Sequence, residues 1–333
     1  MSHKPKSIFI LNDATFGQIY SETSLQRIHE LTDVIHGQLN RDTWEASKAV
    51  LAEVEYIFSG WGMPNMDADF LEACPKLKHV FYGAGSVRAF YTEAARARGI
   101  GLCSAWRANA IPVAEFAHAT ILLALKKFWR INRMISEKRQ WERTLAVPGA
   151  YDSTVGLVSL GAIGRMVAER LGTHHLKIVA YDPFANPAQA EALGVKLVSL
   201  EELFATSDVI SLHTPNLPET RGLVSRALLE SMKEGATLIN TARGAVIDEP
   251  AMVDVLRARP DLDALLDVTV NEPVPEDDPL WDLPNVVITP HIAGSLDNEC
   301  QRMGQYMVEE CERLLQGAPL QHEVTEAIFK TMA

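Results

Sequence analysis

The sequence predicts an α/β protein built on parallel sheets. Three observations carry that expectation. Apolar runs of strand length recur along the chain, helical patterns separate them, and one run passes through a glycine turn into a helix. The runs are Ile8–Leu11, Tyr56–Ser59, His79–Tyr82, Val155–Leu160, Lys177–Tyr181, Val209–His213, Thr237–Asn240, Ala264–Val268 and Val286–Thr289. Their near-continuous apolar character fits strands buried on both faces, as in parallel sheets covered by helices. At 333 residues the chain suits two domains better than one hydrophobic core.

Between the runs, a helical pattern extends from about Asn109 to Ser136 and is apolar around much of its circumference. Such a helix is expected to be buried on several sides. Residues Arg139–Asp152, with Pro148 and Gly149, break the pattern and read as a loop before the next strand. A last helix is expected over roughly Asp297–Gln316. The sequence contains no internal repeat and no low-complexity segment.

Composition narrows the function classes. Forty-three acidic against thirty-one basic residues give a net charge of -12. That balance argues against nucleic acid or an anionic membrane as partner, since both call for a basic surface. Cys74, Cys103, Cys300 and Cys311 form no CxxC and no metal-ligand spacing. They read as reduced thiols of a cytoplasmic protein, with no metal. Ile8–Leu11 is too short for a signal-peptide core, and the longest apolar run, Ala117–Leu125, is too short to span a bilayer. A soluble protein is expected.

The clearest motif follows the run Val155–Leu160. Ser159-Leu160-Gly161-Ala162-Ile163-Gly164 opens a helical pattern, Arg165–Leu171, in the strand–turn–helix setting of a dinucleotide fingerprint. A helix N-terminus offers unpaired N–H groups and a positive dipole end to a pyrophosphate. Gly161 allows close approach to the phosphates, and Gly164 allows the helix to pack on the strand. Ser159 stands where the first glycine belongs, so the loop is expected to be slightly altered. The run Lys177–Tyr181 ends at Asp182, eighteen residues beyond Gly164, where an acid binds the ribose hydroxyls. A carboxylate there repels a 2′-phosphate, which favours NAD over NADP. Its bland reading is an ordinary capping acid after a strand.

Three further segments place polar residues at strand ends, where open α/β sheets bind ligands. They are Leu238–Gly244, Leu266–Pro273 and Ile288–Gly294, delivering Arg243, Glu272 and His291. Hydride transfer to a keto acid needs a proton donor at the carbonyl oxygen and a cation for the carboxylate. Histidine suits the first role, because its ordinary pKa lets it give and take a proton near neutrality. A neighbouring carboxylate orients the ring, and arginine suits the second role through its planar fork. Singly, each has a bland reading: a surface ion pair for Arg243, a solvated turn for Glu272 and a loop histidine for His291. Their joint occurrence downstream of a nucleotide motif favours the catalytic one.

These segments resemble the D-isomer-specific 2-hydroxyacid dehydrogenase family, which includes phosphoglycerate dehydrogenases and glyoxylate/hydroxypyruvate reductases. The resemblance rests on Asn109–Glu115, Gly156–Gly164, His213–Pro215 with Pro218–Gly222, Thr241–Gly244, Asp267–Pro273 and Pro279–Gly294. It implies His291 as acid/base, Glu272 as its partner and Arg243 as the substrate-binding cation. It also implies Asp267 at the nicotinamide carboxamide and Ala162 and Ile163 at the pyrophosphate. His213, Thr214, Thr241, Ala242 and Gly294 would line the rest of the cofactor cleft. The loop Ala84-Gly85-Ser86 would bind the substrate carboxylate through backbone amides.

The resemblance implies two Rossmann-like or flavodoxin-like domains with doubly wound parallel sheets. An NAD-binding domain, 108–295, would be inserted into a discontinuous substrate domain, 1–107 with 296–333. The cleft would lie at their junction, and a homodimer would form through the nucleotide domain. The implied partner is a small 2-keto or 2-hydroxy acid. Two other readings are weighed beside it. A non-enzymatic NAD(H)-sensing protein of the corepressor type is disfavoured by the intact Arg–Glu–His set. A formate-type dehydrogenase would carry Gln where Glu272 stands. Because the sequence given ends soon after the last helix, feedback control through an added C-terminal domain is not expected.

Several signals receive a structural reading. Glu115 and His118 have Glu-x-x-His spacing without the second copy a di-iron site needs. His322-Glu323 lacks the second histidine of a zinc protease motif. His174-His175 is expected to be solvated, and Trp61, Arg88, Trp106 and Arg107 are expected to serve packing or the surface rather than substrate.

Overall fold

The computed structural model describes residues 4–141 and 146–332. The chain divides into two compact units, residues 1–110 with 295–333, and residues 111–294.

The first unit holds a five-stranded parallel sheet: β1 Lys6–Ile10, β2 Asp33–Val34, β3 Tyr56–Ser59, β4 His79–Tyr82 and β5 Gly101–Ser104, in the order β2-β1-β3-β4-β5. One face buries Ile8, Ile10, Ile57, Val80 and Tyr82, and the other buries Phe9, Phe58 and Phe81 beneath the Cys300–Gln316 helix. This alternation is the period-two geometry of a strand applied twice, with both faces dry. Phe58 stacks on Phe81 with ring centroids 5.0 Å apart.

The second unit holds seven parallel strands: β6 Tyr151–Val158, β7 His175–Tyr181, β8 Val195–Leu197, β9 Val209–Leu212, β10 Thr237–Asn240, β11 Asp263–Leu266 and β12 Val286–Ile288. Their order is β12-β11-β10-β9-β6-β7-β8. From β6 the chain winds outward through β7 and β8, then returns to β9 on the other side. The strand order therefore reverses between β6 and β9, and ligands of open α/β sheets bind outside the carboxyl ends at such a point.

All nine runs expected from the sequence are strands, with ends shifted by a few residues. Three strands carried too little pattern to be seen. Asp33–Val34 is two residues long, Val195–Leu197 is a three-residue edge strand carrying Lys196, and Gly101–Ser104 opens on a glycine. A Cβ at Gly101 would lie 2.2 Å from His79 Nδ1, so the neighbouring histidine leaves no room for a side chain there.

The single helix expected over Asn109–Ser136 is two helices, Trp106–Leu125 and Phe128–Lys138, and that reading is corrected. Lys127 breaks them with a left-handed backbone, φ 53°. Its buried ammonium donates to Gly235 O and, at 3.3 Å, to Thr237 Oγ1, with Asp263 3.9 Å away. A continuous helix would carry this charge elsewhere, so a tertiary ion site decides the break. Ala114, Ala117, Ile121, Ala124 and Leu125 of the first helix pack into the core of the second unit. By length and composition this helix, alone among the described residues, passes for a membrane span, but 56% of its apolar 18-residue window is buried inside the protein. Of the loop expected over Arg139–Asp152, residues 142–145 lie outside the described residues, and Tyr151 and Asp152 already belong to β6.

The last long helix opens with a 3-10 turn, Asp297–Glu299, continues as Cys300–Gln316 and stops at Gly317, whose φ of 67° is the left-handed helix stop that glycine adopts freely. Its Glu310 is 0% exposed and fully engaged. It accepts from Arg313 at 2.6 Å, from the backbone N–H groups of Gln321 and His322 at 2.9 and 3.0 Å, and from the Cys103 thiol at 3.4 Å. That carboxylate ties the C-terminal segment to β5. His79 Nε2 lies 3.3 Å from Cys103 Sγ and extends the chain of polar contacts.

Burial pulls the His79 pKa down to about 4, against the opposing charge of Glu310. Folded His79 is thus neutral where an unfolded imidazole protonates below about 6.5. Its contribution is complete above that value and is lost as pH falls towards 4. Between pH 7 and 5 this one residue should cost on the order of 2 kcal/mol. Chemical denaturation at both values should show His79→Gln with a flatter pH dependence than the parent, and an equal slope would remove His79 as the cause.

Candidate active site

The dinucleotide loop joins β6 to the Ala162–Leu171 helix. Gly161 is the helix N-cap, has open space around its missing Cβ, and gives no side-chain cap to the first-turn N–H groups. A Cβ on Gly164 would sit 2.2 Å from Ser159 O, so glycine there is what lets the helix lie against the strand end. Ala162 and Ile163 fill the first turn between them.

Ser159 adopts φ 81°, the left-handed region where glycine is at ease and a side chain costs on the order of 1 kcal/mol. The loop holds this conformation by three contacts. Ser159 N donates to Tyr181 O, Leu160 N donates to Asp182 Oδ2 and Arg165 Nε donates to Leu160 O, each at 2.8 Å. The altered loop expected from the serine is therefore a glycine-like loop carrying a serine. Asp182 Oδ1 also accepts from Phe184 N at 2.8 Å, and each carboxylate oxygen keeps capacity for a further bond.

Across the reversal point, the β9 strand delivers His213 and Thr214. Thr214 Oγ1 donates to Val158 O at 3.2 Å. Both ring nitrogens of His213 are buried without a hydrogen-bond partner, and burial holds its pKa down at about 4. The Thr241 hydroxyl, after β10, is likewise buried and unpartnered. Unmet polar groups are uncommon in a protein interior. Gathered at the strand ends beside a glycine cradle, they fit a bound dinucleotide.

The remaining residues hang on β10, β11 and β12. Asn240, the last residue of β10, accepts from Ala242 N at 3.0 Å and donates to Arg243 O at 3.0 Å, which fixes the turn that carries Arg243. The Arg243 guanidinium donates to Ala242 O at 2.6 Å. Burial lowers its pKa, and the charge of Glu272 opposes that shift. Gly244 is in closest contact with the loop after β11, where an added Cβ would fall 2.0 Å from Thr269 C. No other residue permits that approach, which brings the Arg243 turn against the segment leading to Glu272.

Glu272 pairs with His291, Oε2 to Nδ1, at 2.7 Å, while its Oε1 accepts from Thr269 N at 3.3 Å. An acceptor carboxylate at Nδ1 selects the tautomer with hydrogen on that nitrogen. Nε2 then has no hydrogen-bond partner among the described residues, on a half-exposed ring. His291 takes the left-handed backbone, φ 56°. Asp267 holds it there. Its carboxylate accepts from Thr289 Oγ1 at 2.6 Å, Ile292 N at 2.8 Å and Ala293 N at 2.9 Å, and its own carbonyl accepts from His291 N at 3.0 Å. Gly294 follows directly and closes the second unit.

In the first unit the loop Ala84-Gly85-Ser86 follows β4. Ser104 Oγ bonds Ala84 O at 3.0 Å and Gly85 O at 2.6 Å, bracing it from the end of β5. Asn240, Thr289 and Glu249 were not singled out from the sequence. Glu249 accepts from Val270 N at 2.9 Å and so fixes the Glu272 loop from its far side. The one sequence signal was a polar residue closing an apolar strand, as at Asn240.

Other singled-out residues serve the fold. Arg88 donates to the carbonyls of Phe329, Lys330 and Met332, capping a short C-terminal helix, Glu326–Thr331, that follows the helix expected from the sequence to be the last. Arg107 lies over the Trp106 ring at 5.1 Å. Trp61 is partly buried against the first-unit core, and His322 stacks on Tyr306. His174 is not simply solvated, which corrects the expectation: its Nε2 lies 3.2 Å from His118 Nε2. Among the described residues no group of three or more His, Cys, Asp or Glu converges on a metal position.

A doubly wound parallel sheet with a glycine cradle, an acid closing the next strand and an Arg–Glu–His set defines a dinucleotide-dependent class of protein. Residues 118–293 match the family model described as D-isomer specific 2-hydroxyacid dehydrogenase, NAD binding domain. A glyoxylate reductase of Korarchaeum cryptofilum is 32% identical over 80% of this chain and 81% of its own length. A D-3-phosphoglycerate dehydrogenase of Archaeoglobus fulgidus is 36% identical over 78% of this chain and 49% of its own. The chain spans about half the length of the D-3-phosphoglycerate dehydrogenases it matches. A solved D-isomer specific 2-hydroxyacid dehydrogenase from Xanthobacter autotrophicus Py2, in complex with NADPH and MES, superimposes with a TM-score of 0.77 at 25% identity, covering 97% of this chain and 98% of that one. The chain belongs to the D-isomer specific 2-hydroxyacid dehydrogenase family.

The Gly244 contact makes a direct prediction about packing. Gly244→Ala should force the Arg243 turn away from Thr269 and destabilise the fold by about 1–3 kcal/mol, lowering the melting temperature by several degrees. An unchanged thermal melt would mean that the two loops separate freely.

Proposed function

We propose that this protein is an NAD-dependent oxidoreductase acting on a small D-2-hydroxy or 2-keto acid of the glyoxylate, hydroxypyruvate or glycerate kind. The 2.7 Å pair of His291 and Glu272 at the carboxyl edge of the nucleotide sheet carries the reading. The nicotinamide, when bound, supplies or accepts the hydride. His291 gives a proton from Nε2 to the carbonyl oxygen in reduction and takes one from the hydroxyl in oxidation. Glu272 orients the ring by accepting from Nδ1, leaving Nε2 for the substrate. Arg243, held by Asn240, presents a permanent cation for the substrate carboxylate.

For the dinucleotide, Gly161, Ala162, Ile163 and Gly164 are proposed to cradle the pyrophosphate. Asp182 takes the ribose hydroxyls. His213, Thr214, Thr241, Ala242 and Gly294 line the remainder. Asp267 is proposed to reach the nicotinamide carboxamide with acceptor capacity left beyond its three bonds to the His291 loop. The carboxylate of Asp182 supports NAD over NADP, although the similar Xanthobacter structure holds NADPH. In the first unit, the amides of Ala84, Gly85 and Ser86 carry the separate proposal of binding a substrate carboxylate. A homodimer is proposed from the exposed apolar side chains of Phe128, Trp141 and Tyr151 in the second unit, the last two 82% and 75% exposed.

Oxidation of NADH by the purified protein should be rapid with at least one short 2-keto acid of a panel. His291→Ala should lower turnover by roughly two to four orders of magnitude and leave NADH affinity nearly unchanged. Near-normal turnover in that variant would remove the acid/base role. Clear NADH binding with no turnover on any acid would favour a sensing role instead. Asp182→Ala should raise the NADPH-to-NADH affinity ratio while weakening both, because the carboxylate also holds Leu160. An unchanged ratio in binding titrations would make Asp182 purely structural.

A further inference from the structure

We propose that the Ser159 hydroxyl is a dinucleotide-binding group that this chain has in place of the usual glycine. The inference rests on the dinucleotide reading of the second unit. The position calls for glycine because the turn needs a positive φ, and Ser159 meets that demand at φ 81° despite its side chain. Serine is not among the residues that enter the left-handed region readily. Residues held this way persist where their surroundings over-determine them and gather at ligand sites. Here the contacts from Tyr181, Asp182 and Arg165 to residues 159 and 160 provide the over-determination.

The side chain is half-exposed and follows β6 directly, at the reversal point of the sheet. Its Oγ accepts from Thr214 Oγ1 in a long 3.4 Å contact, Thr214 donating also to Val158 O at 3.2 Å. At that length the contact is weak. The Ser159 hydroxyl donates to no acceptor among the described residues, so its own proton is free for a pyrophosphate oxygen, in a shorter, charge-assisted bond. An independent feature beside the loop, at the end of β9, points to a ligand. His213 is nine-tenths buried, its ring carbon lies 3.7 Å from where a Gly164 Cβ would be, and neither of its nitrogens has a partner. The polar groups around the loop are arranged for something the protein itself does not supply.

The test separates the hydroxyl from the backbone. Ser159→Gly removes both strain and hydroxyl, and Ser159→Ala removes the hydroxyl alone. NADH titrations of the full chain, followed by fluorescence, should show both variants with a dissociation constant raised about tenfold. Thermal melts without cofactor should show Ser159→Gly a few degrees more stable than the parent and Ser159→Ala not stabilised. NADH binding as tight in the variants as in the parent would overturn the proposal and leave the dinucleotide reading standing. No binding of NADH or NADPH by the parent protein would overturn both.

Discussion

The carboxylate of Asp267 sets where the residues at the edge of the second sheet can stand. It lies at the end of β11, 4% exposed, and takes its hydrogen bonds from the segment after β12. A buried carboxylate left without donors is costly, whereas one with three good donors is a rigid fixture. Its bonds to Thr289, Ile292 and Ala293 define the turn, and the turn gives His291 its left-handed backbone. Only from that backbone does the ring meet Glu272, which arrives from the other end of the same β11 loop. Asp267 thus acts on the imidazole through the backbone on either side of it, without touching the ring.

Gly244 adds the second constraint. Three strand ends, β10, β11 and β12, each deliver one of the proposed catalytic side chains, and parallel neighbours bring those ends near one another. Sheet spacing alone leaves room between the loops. The missing side chain at Gly244 lets the β10 turn press on Thr269, with Glu249 bracing Val270 from behind. The Arg243 turn and the Glu272 loop are therefore positioned by Gly244 and Glu249, which have no proposed chemistry of their own to perform.

Two polar clusters differ in kind. In the first unit, Glu310, Cys103, Arg313 and the backbone N–H groups of residues 321 and 322 satisfy one another, although Arg96, Trp106, Ser295 and His322 of that unit each keep a buried atom without a partner. In the second, His213 and Thr241, both just past strand ends, are left open. Satisfied networks stiffen a fold, while the open groups at His213 and Thr241 are ones that the proposed dinucleotide would complete. The same contrast explains Asp182, which is both a structural acceptor for the glycine loop and a group with acceptor capacity facing outward.

The sequence by itself determined the α/β class and nine of the strands, and it carried the motifs from which the glycine cradle and the roles of Arg243, Glu272 and His291 are proposed. Those features are local: apolar runs, a strand–turn–helix motif and polar residues closing strands are all written in contiguous residues. It did not determine the break at Lys127, because that break answers to Gly235, Thr237 and Asp263, more than a hundred residues away. Nor did it show Asn240, Glu249 and Thr289 as supports, or the pairing of His174 with His118, since a hydrogen-bond partner brought from another strand or helix leaves no periodic trace. Ser159 shows the division most clearly. The sequence marked it as a departure from glycine, and the tertiary structure decided that the backbone would keep glycine's conformation, because Tyr181 and Asp182 at the end of the next strand, with Arg165 of the following helix, hold the loop there.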